Sequence, residues 1–312
     1  MIYLISLNYN SSRLTIELLE SLKKVTTEYR IIIVDNQSQE DDFNTLKTYV
    51  ENESNTVYLV EDIDEYRFVE PTRIALVRED QNLGYSAGNN RGIRIAQKQT
   101  DFEAIALLNN DTEVEPDFLD EIIRFRRDHS DVDLIGCRIF YDTPKNVLWY
   151  DGGKYYKHST RAIHFNENKH IDTIDKSLEP RSTTFITGCF MYISKKGLET
   201  CGLLDETFFM YNEDLEYCIR AMKKGLKLYY LPTSVIRHKI KPTSSPFSTY
   251  WGAKNRFRLS KLHSNKSDQL YTIIFYILTR IPRYSMWLSK GRFDLIKAQF
   301  KGMLDGLKEM RK

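Results

Sequence analysis

The sequence predicts an α/β protein with a mostly parallel central sheet flanked by helices, followed by a C-terminal helical extension. Short unbroken apolar runs, "RIIIVD" at 30–35 and "AIALLNND" at 104–111, have the form of strands buried on both faces. Between such runs lie stretches with helical spacing, first at Leu14, Leu18 and Leu22. The strands also end in polar residues (Asn8; Asp35 and Asn36; Asn109, Asn110 and Asp111), and in open parallel sheets ligands bind just beyond the carboxyl ends of the strands. An ordinary turn before a helix would use the same residue types at 109–112.

"YLISLNY" reads as the first strand: no basic residue precedes its apolar stretch, so it lacks the form of a signal peptide and a cytoplasmic location is expected. Asn10, Ser11 and Ser12 cap the first helix. "YRIIIVDNQS" repeats the pattern, with Phe43, Leu46 and Val50 on the next helix. Residues 51–72 are acidic and irregular and carry no assigned element before a third strand near "RIALVRE". In "NLGYSAGNNRGI" (82–93), Gly84, Gly88 and Gly92 open a helix, where small residues allow close backbone approach and a helix N-terminus favours phosphate. No glycine precedes Gly84, which excludes a dinucleotide or Walker glycine loop on the first strand. A βαβαβ half therefore spans 1–115, and 116–242 form a second half. There "DFLDEIIRFRRD" is an amphipathic helix, "VDLIGCRIFYD" a strand, and 143–181 a polar stretch without a strong period. "TFITGCFMYISKKGLETCG" returns to strand and helix, "NEDLEYCIRAMKKG" opens a helix on Glu213 and Asp214, and "LKLYYLPTSVIRHK" reads as a strand pair ending at His238.

Hydrophobic content of 41% and charged content of 28% place the chain among soluble globular proteins. Its four cysteines lack close spacing, which argues against a zinc site or a disulfide framework and for buried, reduced thiols. The net charge of +2 conceals a division: residues 1–218 hold 24 Lys and Arg against 39 Asp and Glu, and 219–312 hold 21 against 4. The basic end is thus expected to face something anionic.

In order, "SLNYN", "VDNQS", "NLGYSAGNNRG", "LLNNDTEV", "TGCFMYISK" and "FFMYNEDLEYCIRAMKKG" resemble glycosyltransferase family 2, particularly its bacterial rhamnosyltransferase-like members, over about residues 1–240. The resemblance implies a GT-A fold and inverting, divalent-metal-assisted transfer of a sugar from a nucleotide diphosphate donor, a UDP- or dTDP-sugar, to a saccharide or lipid-linked acceptor hydroxyl in surface polysaccharide or glycolipid synthesis. By position, Leu7, Asn8, Tyr9, Asp35, Asn82, Gly84, Gly88, Asn89, Asn110 and Asp111 would hold the nucleotide sugar. Asp111, with His238, would ligate Mg²⁺ or Mn²⁺; the first acid of the family's paired-aspartate motif is Asn109 here. Asp214 would be the catalytic base, and Trp149, Gly188 and Glu213 would lie on the acceptor side, near Gly152, Gly153 and Thr187. A helix N-terminal acid favoured by the macrodipole is the plainer account of Glu213 and Asp214.

Residues 243–312 form a basic amphipathic helical tail, whose longest apolar run, Tyr271–Leu278, is far short of the roughly 20 residues needed to cross a bilayer. Arg256, Arg258, Lys261, Arg280 and Arg283 among Tyr, Phe and Trp fit a peripheral element on the anionic inner face of the cell membrane, or else a helical subdomain packing on the core or on a second subunit as a homodimer. No nucleic-acid recognition motif is present. Two rival readings remain: a nucleotidyltransferase, which needs a basic glycine loop where "LNYNSSRL" stands, and an idle sugar-binding scaffold, which has no need of Asp111 and Asp214.

Overall fold

The computed structural model describes residues 1–53, 57–60, 66–69, 72–174, 177–240 and 244–311. The expected domain boundary at 242, and parts of the acidic 51–72 stretch, lie outside the described residues. The first half runs β1 (Ile2–Asn8), α1 (Ser12–Leu22), β2 (Tyr29–Asp35), α2 (Glu40–Asn52), β3 (Val57–Val60), β4 (Ile74–Arg78), α3 (Gly84–Gln97), β5 (Ala104–Leu108) and β6 (Thr112–Val114). The second half runs α4 (Phe118–Asp128), β7 (Leu134–Tyr141), β8 (Leu148–Tyr150), β9 (Gly153–Tyr156), β10 (Arg161–His164), β11 (Arg181–Ser182), β12 (Phe190–Ser194), α5 (Lys195–Cys201), α6 (Glu213–Lys223) and β13 (Leu228–His238). The tail is α7 (Pro246–His263), α8 (Lys266–Ser289) and α9 (Phe293–Arg311).

The main sheet has the order β11-β13-β7-β12-β5-β1-β2-β4-β3. From β3 to β5 every pairing is parallel, and β13 pairs parallel with β7. β12 runs antiparallel between β5 and β7, so the sheet is mixed, with one reversed strand at its centre. The buried-on-both-faces reading holds for β2 and β5, which are buried at every residue, and β7 and β12 are buried throughout as well. β1 has β2 on one side and β5 on the other. This reversal of direction opens a crevice at the carboxyl ends of β1, β2 and β5.

Other expectations are refined. The irregular 51–72 stretch contains β3, an edge strand paired only to β4. The expected strand pair before His238 is a single strand, β13, with an irregular register between Leu231 and Val235; Pro232 in that gap lacks the N–H needed to continue the ladder. The polar 143–181 stretch folds into β8 on the main sheet and the separate β9–β10 hairpin. All four cysteines are buried and free, as expected. Among the described residues no helix is long and apolar enough to cross a membrane.

The tail docks onto the core through α7. Asn255, fully buried, donates from its amide to the carbonyls of Met210 and Tyr211, both at 2.9 Å; Arg258 donates to the Thr207 carbonyl, and His263 Nε2 lies 3.1 Å from Glu216. α9 packs along α7 because Gly302 and Gly306, four residues apart on one face, let the backbones meet. A Cβ at Gly302 would overlap the Tyr250 carbonyl oxygen, and one at Gly306 would lie 2.7 Å from that of Lys254. Gly302→Val should therefore force α9 off α7 at a cost of about 1–3 kcal/mol, read as a lower melting temperature. A melting temperature equal to wild type would show that the close helix contact is absent in solution.

Candidate active site

The crevice divides into two cavities. One, of about 260 Å³, is lined by Leu7, Tyr9, Asn36, Asn82, Gly84 and Asn89 together with the strand-end residues 108–111. The other, of about 370 Å³, is lined by Trp149, His164, Thr187, Gly188, Glu213, Asp214 and His238 among others. Tyr85, Asn109, Asp111 and Met210 line both, so the strand-end triplet is the wall where the two meet.

Beneath the smaller cavity runs a chain of side-chain hydrogen bonds. The Asn8 amide donates to Asp35 (2.8 Å), Ser38 Oγ (3.0 Å) and Asp42 (3.1 Å), while Asn8 Oδ1 accepts from Thr15 Oγ1 (2.8 Å). The Asn110 amide donates to Ser11 Oγ (2.8 Å) and Thr15 Oγ1 (2.9 Å). Asn8 and Asp35 have no exposed surface, and the second Asp35 oxygen accepts from the Ser38 N–H at 3.0 Å. They were expected to touch the nucleoside. The structure places them instead under the cavity floor, where burial and saturated hydrogen bonding leave them to shape the loops that a ligand would meet. Gly88 is likewise a packing position: a Cβ there would lie 3.1 Å from Leu7 Cδ2.

Asn36, which follows Asp35, fixes the glycine loop by donating to the Gly84 carbonyl (3.0 Å) and accepting from the Leu83 N–H (3.1 Å). Asn82 accepts from the Gly84 N–H at 2.9 Å, and the Asn89 amide bonds the Tyr85 carbonyl at 2.9 Å. Gly84 has φ +76°, and a Cβ there would overlap the Phe209 carbonyl oxygen; position and conformation both call for glycine.

The triplet divides its tasks. Asn110 turns back into the core, whereas Asn109 and Asp111 face both cavities. β6 pairs antiparallel with the end of β13, His238 opposite Thr112, and sets His238 Nε2 at 3.0 Å from Asp111 Oδ1. His238 is buried against the edge of Trp149, with ring centroids 4.6 Å apart, and its Nδ1 has no partner. Trp149 also meets His164 edge-on; burial lowers the His164 pKa to about 4, so that ring is neutral at physiological pH. Among the described residues no group of three or more His, Cys, Asp or Glu side chains is placed to hold a metal ion. Asp111 and His238 make a two-donor oxygen and nitrogen pair, which fits a cation that takes its remaining ligands from diphosphate and water.

Across the larger cavity, Tyr211 and Asn212 both adopt φ +70° immediately before α6. This left-handed turn brings Glu213 and Asp214 to the cavity wall, and Asn255 holds it through the Met210 and Tyr211 carbonyls. Asp214 accepts from the Gly188 N–H (3.0 Å) and the Leu215 N–H (2.7 Å). Burial raises its pKa above the ordinary aspartate value, and these N–H donors oppose the rise. Glu213 is raised much further, by burial and then by Asp214, and its Oε2 is buried without a partner. Of the two acids, Glu213 is held further toward its neutral form, and Asp214 is the one whose anion two N–H donors support. Trp149 and Gly188 line this same cavity.

Asn36, Tyr85, Asn109, His164, Met210 and Tyr211 also line the crevice and were not among the expected site residues. Asn36, Tyr85 and Asn109 each adjoin an expected residue (Asp35, Gly84 and Asn110), a signal available in the sequence. His164 carries no local signal.

Residues 28–259 match the model of the family described as "Glycosyltransferase like family 2". The chain belongs to glycosyltransferase family 2. Its curated relatives include a low-salt glycan biosynthesis hexosyltransferase of Haloferax volcanii, 26% identical over 234 residues that cover 72% of this chain and 73% of that one. Another is a dTDP-rhamnosyl transferase of Shigella flexneri, 23% identical over 297 residues, 90% and 95% of the two chains. The fold is GT-A: it matches a mannosyltransferase of Pyrobaculum calidifontis in complex with GDP-Man and Mn²⁺ with a TM-score of 0.57, 13% identity and coverage of 97% of this chain and 87% of that one. It matches GalNAc-T7 with UDP, GalNAc and Mn²⁺ with a TM-score of 0.61 at 15% identity, over 84% of this chain and 47% of that enzyme, so this chain spans about half its length. As a family 2 member, the protein is a glycosyltransferase.

Glu213 supplies a test of the buried acid pair. An acid whose folded pKa is raised contributes stability that is complete below its unfolded value, ordinarily 4.5, and lost as pH rises toward the folded one. Glu213→Gln should thus gain melting temperature relative to wild type as pH rises from 5 to 8, each kcal/mol being worth about 2–4 °C at this chain length. A pH-independent difference would contradict the protonated assignment.

Proposed function

We propose that this glycosyltransferase transfers a hexosyl group with inversion from a UDP- or dTDP-sugar to an acceptor hydroxyl, with Mg²⁺ or Mn²⁺, in surface polysaccharide or glycolipid synthesis. The observation that carries the reading is the single cavity walled on one side by Asp111 and His238 and on the other by Asp214. Donor and acceptor can meet there from opposite sides, as a single displacement requires.

The nucleoside occupies the smaller cavity, among Leu7, Tyr9, Asn36 and Asn82, over the loops that Asn8 and Asp35 hold. Its diphosphate reaches the shared wall at Asn109 and Asp111. Asp111 and His238 would hold the cation, which when bound supplies positive charge against the departing diphosphate. Asn109, whose amide has no hydrogen-bond partner among the described residues, orients the donor at the same wall. The acceptor enters the larger cavity between Trp149, whose indole offers a face for a sugar ring, and the acid pair. Asp214 takes the proton from the attacking hydroxyl. Its burial makes it a stronger base than an exposed aspartate, and the Gly188 and Leu215 N–H groups fix its direction. Glu213, protonated, remains neutral beside it and leaves a single negative charge facing the acceptor.

The tail completes the reading. Its 14 basic against 4 acidic residues over 243–312 and the exposed apolar side chains of α8 support a peripheral place on the anionic inner membrane face, where lipid-linked acceptors are presented.

Asp214→Asn keeps the shape and removes the base. Turnover should fall about 10²-fold or more while donor affinity barely changes. An equal loss of donor affinity would make Asp214 a donor-site residue. In the wild type the rate should rise with pH through a pKa above the ordinary aspartate value, because only the anion accepts the proton and burial delays its formation; a rate already at plateau in the ordinary carboxylate range would count against the base. Asp111→Ala should abolish metal-dependent transfer with the fold intact by circular dichroism, and near wild-type turnover at limiting Mn²⁺ or Mg²⁺ would refute the ligand assignment.

A further inference from the structure

Beside Asn255 on α7, Arg256 leads to a group of four arginines from three elements, α7, α8 and β10, close enough for the charges of Arg280, Arg161 and Arg283 to act on Arg256. Arg256 of α7 is 8% exposed; its Nη2 donates to the Ser159 carbonyl at 2.7 Å, and its Nε has no hydrogen-bond partner among the described residues. The Arg256 guanidinium carbon lies 5.4 Å from the centroid of the Tyr276 ring, and that of Arg280 lies 4.5 Å from the same centroid, so two cations share one aromatic ring. The Arg280 Nε is also buried and unpartnered. Arg161 opens β10 two residues after Ser159, in a turn pinned to α8 by Thr272, which bonds Thr160 Oγ1 (2.9 Å) and the His158 carbonyl (3.0 Å). Arg283 follows Arg280 by three residues on α8, hence on the same side of the helix. Among the described residues none of the four forms an ion pair with a carboxylate. Burial, and next the charge of Arg280, pull the Arg256 pKa down to about 10.

Buried guanidinium groups without a counter-charge are a deficit that the fold does not repair internally. A phosphate repairs it, since guanidinium forks match its oxygens in charge and geometry. Beside the cluster, and reached by Arg161 of the four, lies an open cavity of about 520 Å³, lined by the cationic Lys157 and Arg161 and by Tyr156, Ile163, Tyr271 and Phe275 among others. From there Leu270, Ile274, Ile277, Leu278 and Ile281 continue as exposed side chains at helical spacing along one face of α8. A free aqueous anion has no use for that face, whereas a lipid uses the cations and the apolar face together.

We infer that Arg161, Arg256, Arg280 and Arg283 bind the phosphate headgroup of a membrane lipid, with α8 lying in the interface so that its apolar face meets the hydrocarbon. The inference rests on the peripheral-membrane reading of the tail and sharpens it from a diffuse basic surface to one site. A built site prefers an open phosphomonoester to a shielded phosphodiester at equal surface charge; a diffuse surface does not.

The test is cosedimentation of the full chain with phosphatidylcholine vesicles containing phosphatidic acid, or phosphatidylglycerol matched for surface potential. Wild type should partition onto phosphatidic acid about tenfold more strongly, a difference of about 1.4 kcal/mol. Arg161→Gln with Arg283→Gln, both exposed positions, should remove that preference. Lys290→Gln with Lys297→Gln, an equal loss of charge from the same tail, should retain it. Equal partitioning on the two lipids, or equal effects of the two double variants, would overturn the site and leave the surface reading standing. Absence of binding to every anionic vesicle would overturn both. If inorganic phosphate instead raises the melting temperature of wild type and not of the Arg161/Arg283 variant while vesicles bind nothing, the site takes a free anion and the lipid assignment falls.

Discussion

The crevice depends on one buried amide. Asn8 stands at the end of β1, where the sheet changes direction, and its side chain joins β2 through Asp35, α2 through Asp42, and α1 through Thr15. Thr15 in turn accepts from Asn110 at the end of β5. A carboxylate in this place could not donate to Asp35 and Asp42, and an apolar residue would strand both; only a group with donors on one side and an acceptor on the other satisfies every neighbour. The strand ends on either side of the switch point are thereby held at fixed height, so that Tyr9, Asn36, Asn109 and Asp111 present themselves to a common space.

On the opposite wall the constraint is electrostatic. Two acids are adjacent in sequence, Glu213 buried and Asp214 half-buried at the cavity wall, and their environments differ in kind. Asp214 has two backbone N–H groups, while Glu213 has an oxygen with none. Desolvation without donors selects the neutral acid, and desolvation with donors tolerates the anion. Division of roles between neighbouring carboxyl groups thus follows from hydrogen-bond supply. That supply comes from Gly188, on the approach to the reversed strand β12, and from a left-handed turn that would relax if α7 did not hold its carbonyls.

Much of this was legible in the chain. Strands buried on both faces announce themselves as unbroken apolar runs, and polar strand ends pointed to the crevice before any tertiary information. Period alone could not show that β12 runs antiparallel, because a strand buried on both faces carries the same signature in either direction. Nor could it distinguish the polar residues at strand ends that face the ligand from those that brace them. Asp35 and Asn36 look alike in sequence, yet one is sealed under the floor and the other ties down the glycine loop. The region containing Trp149 and His164 was hardest to read: its short strands are assembled by contacts with β7 and within the β9–β10 hairpin, and neither leaves a local period.

The reach of Asn255 has a consequence in time. The turn that aims Asp214 is braced by a side chain 45 residues further along from Met210. Chains are synthesised from the amino end, and domains fold largely as they emerge. The floor of the smaller cavity, braced by Asn8, Thr15, Asp35, Asp42 and Asn110, can therefore form early, whereas the glycine loop waits for Phe209, whose carbonyl accepts from the Tyr85 N–H. The wall that carries Glu213 and Asp214 cannot settle until α7 has cleared the exit tunnel. A nascent chain would pass through a stage at which the floor of one cavity is set and the acid pair is not yet aimed, and the complete crevice would arrive with the last helices to be made.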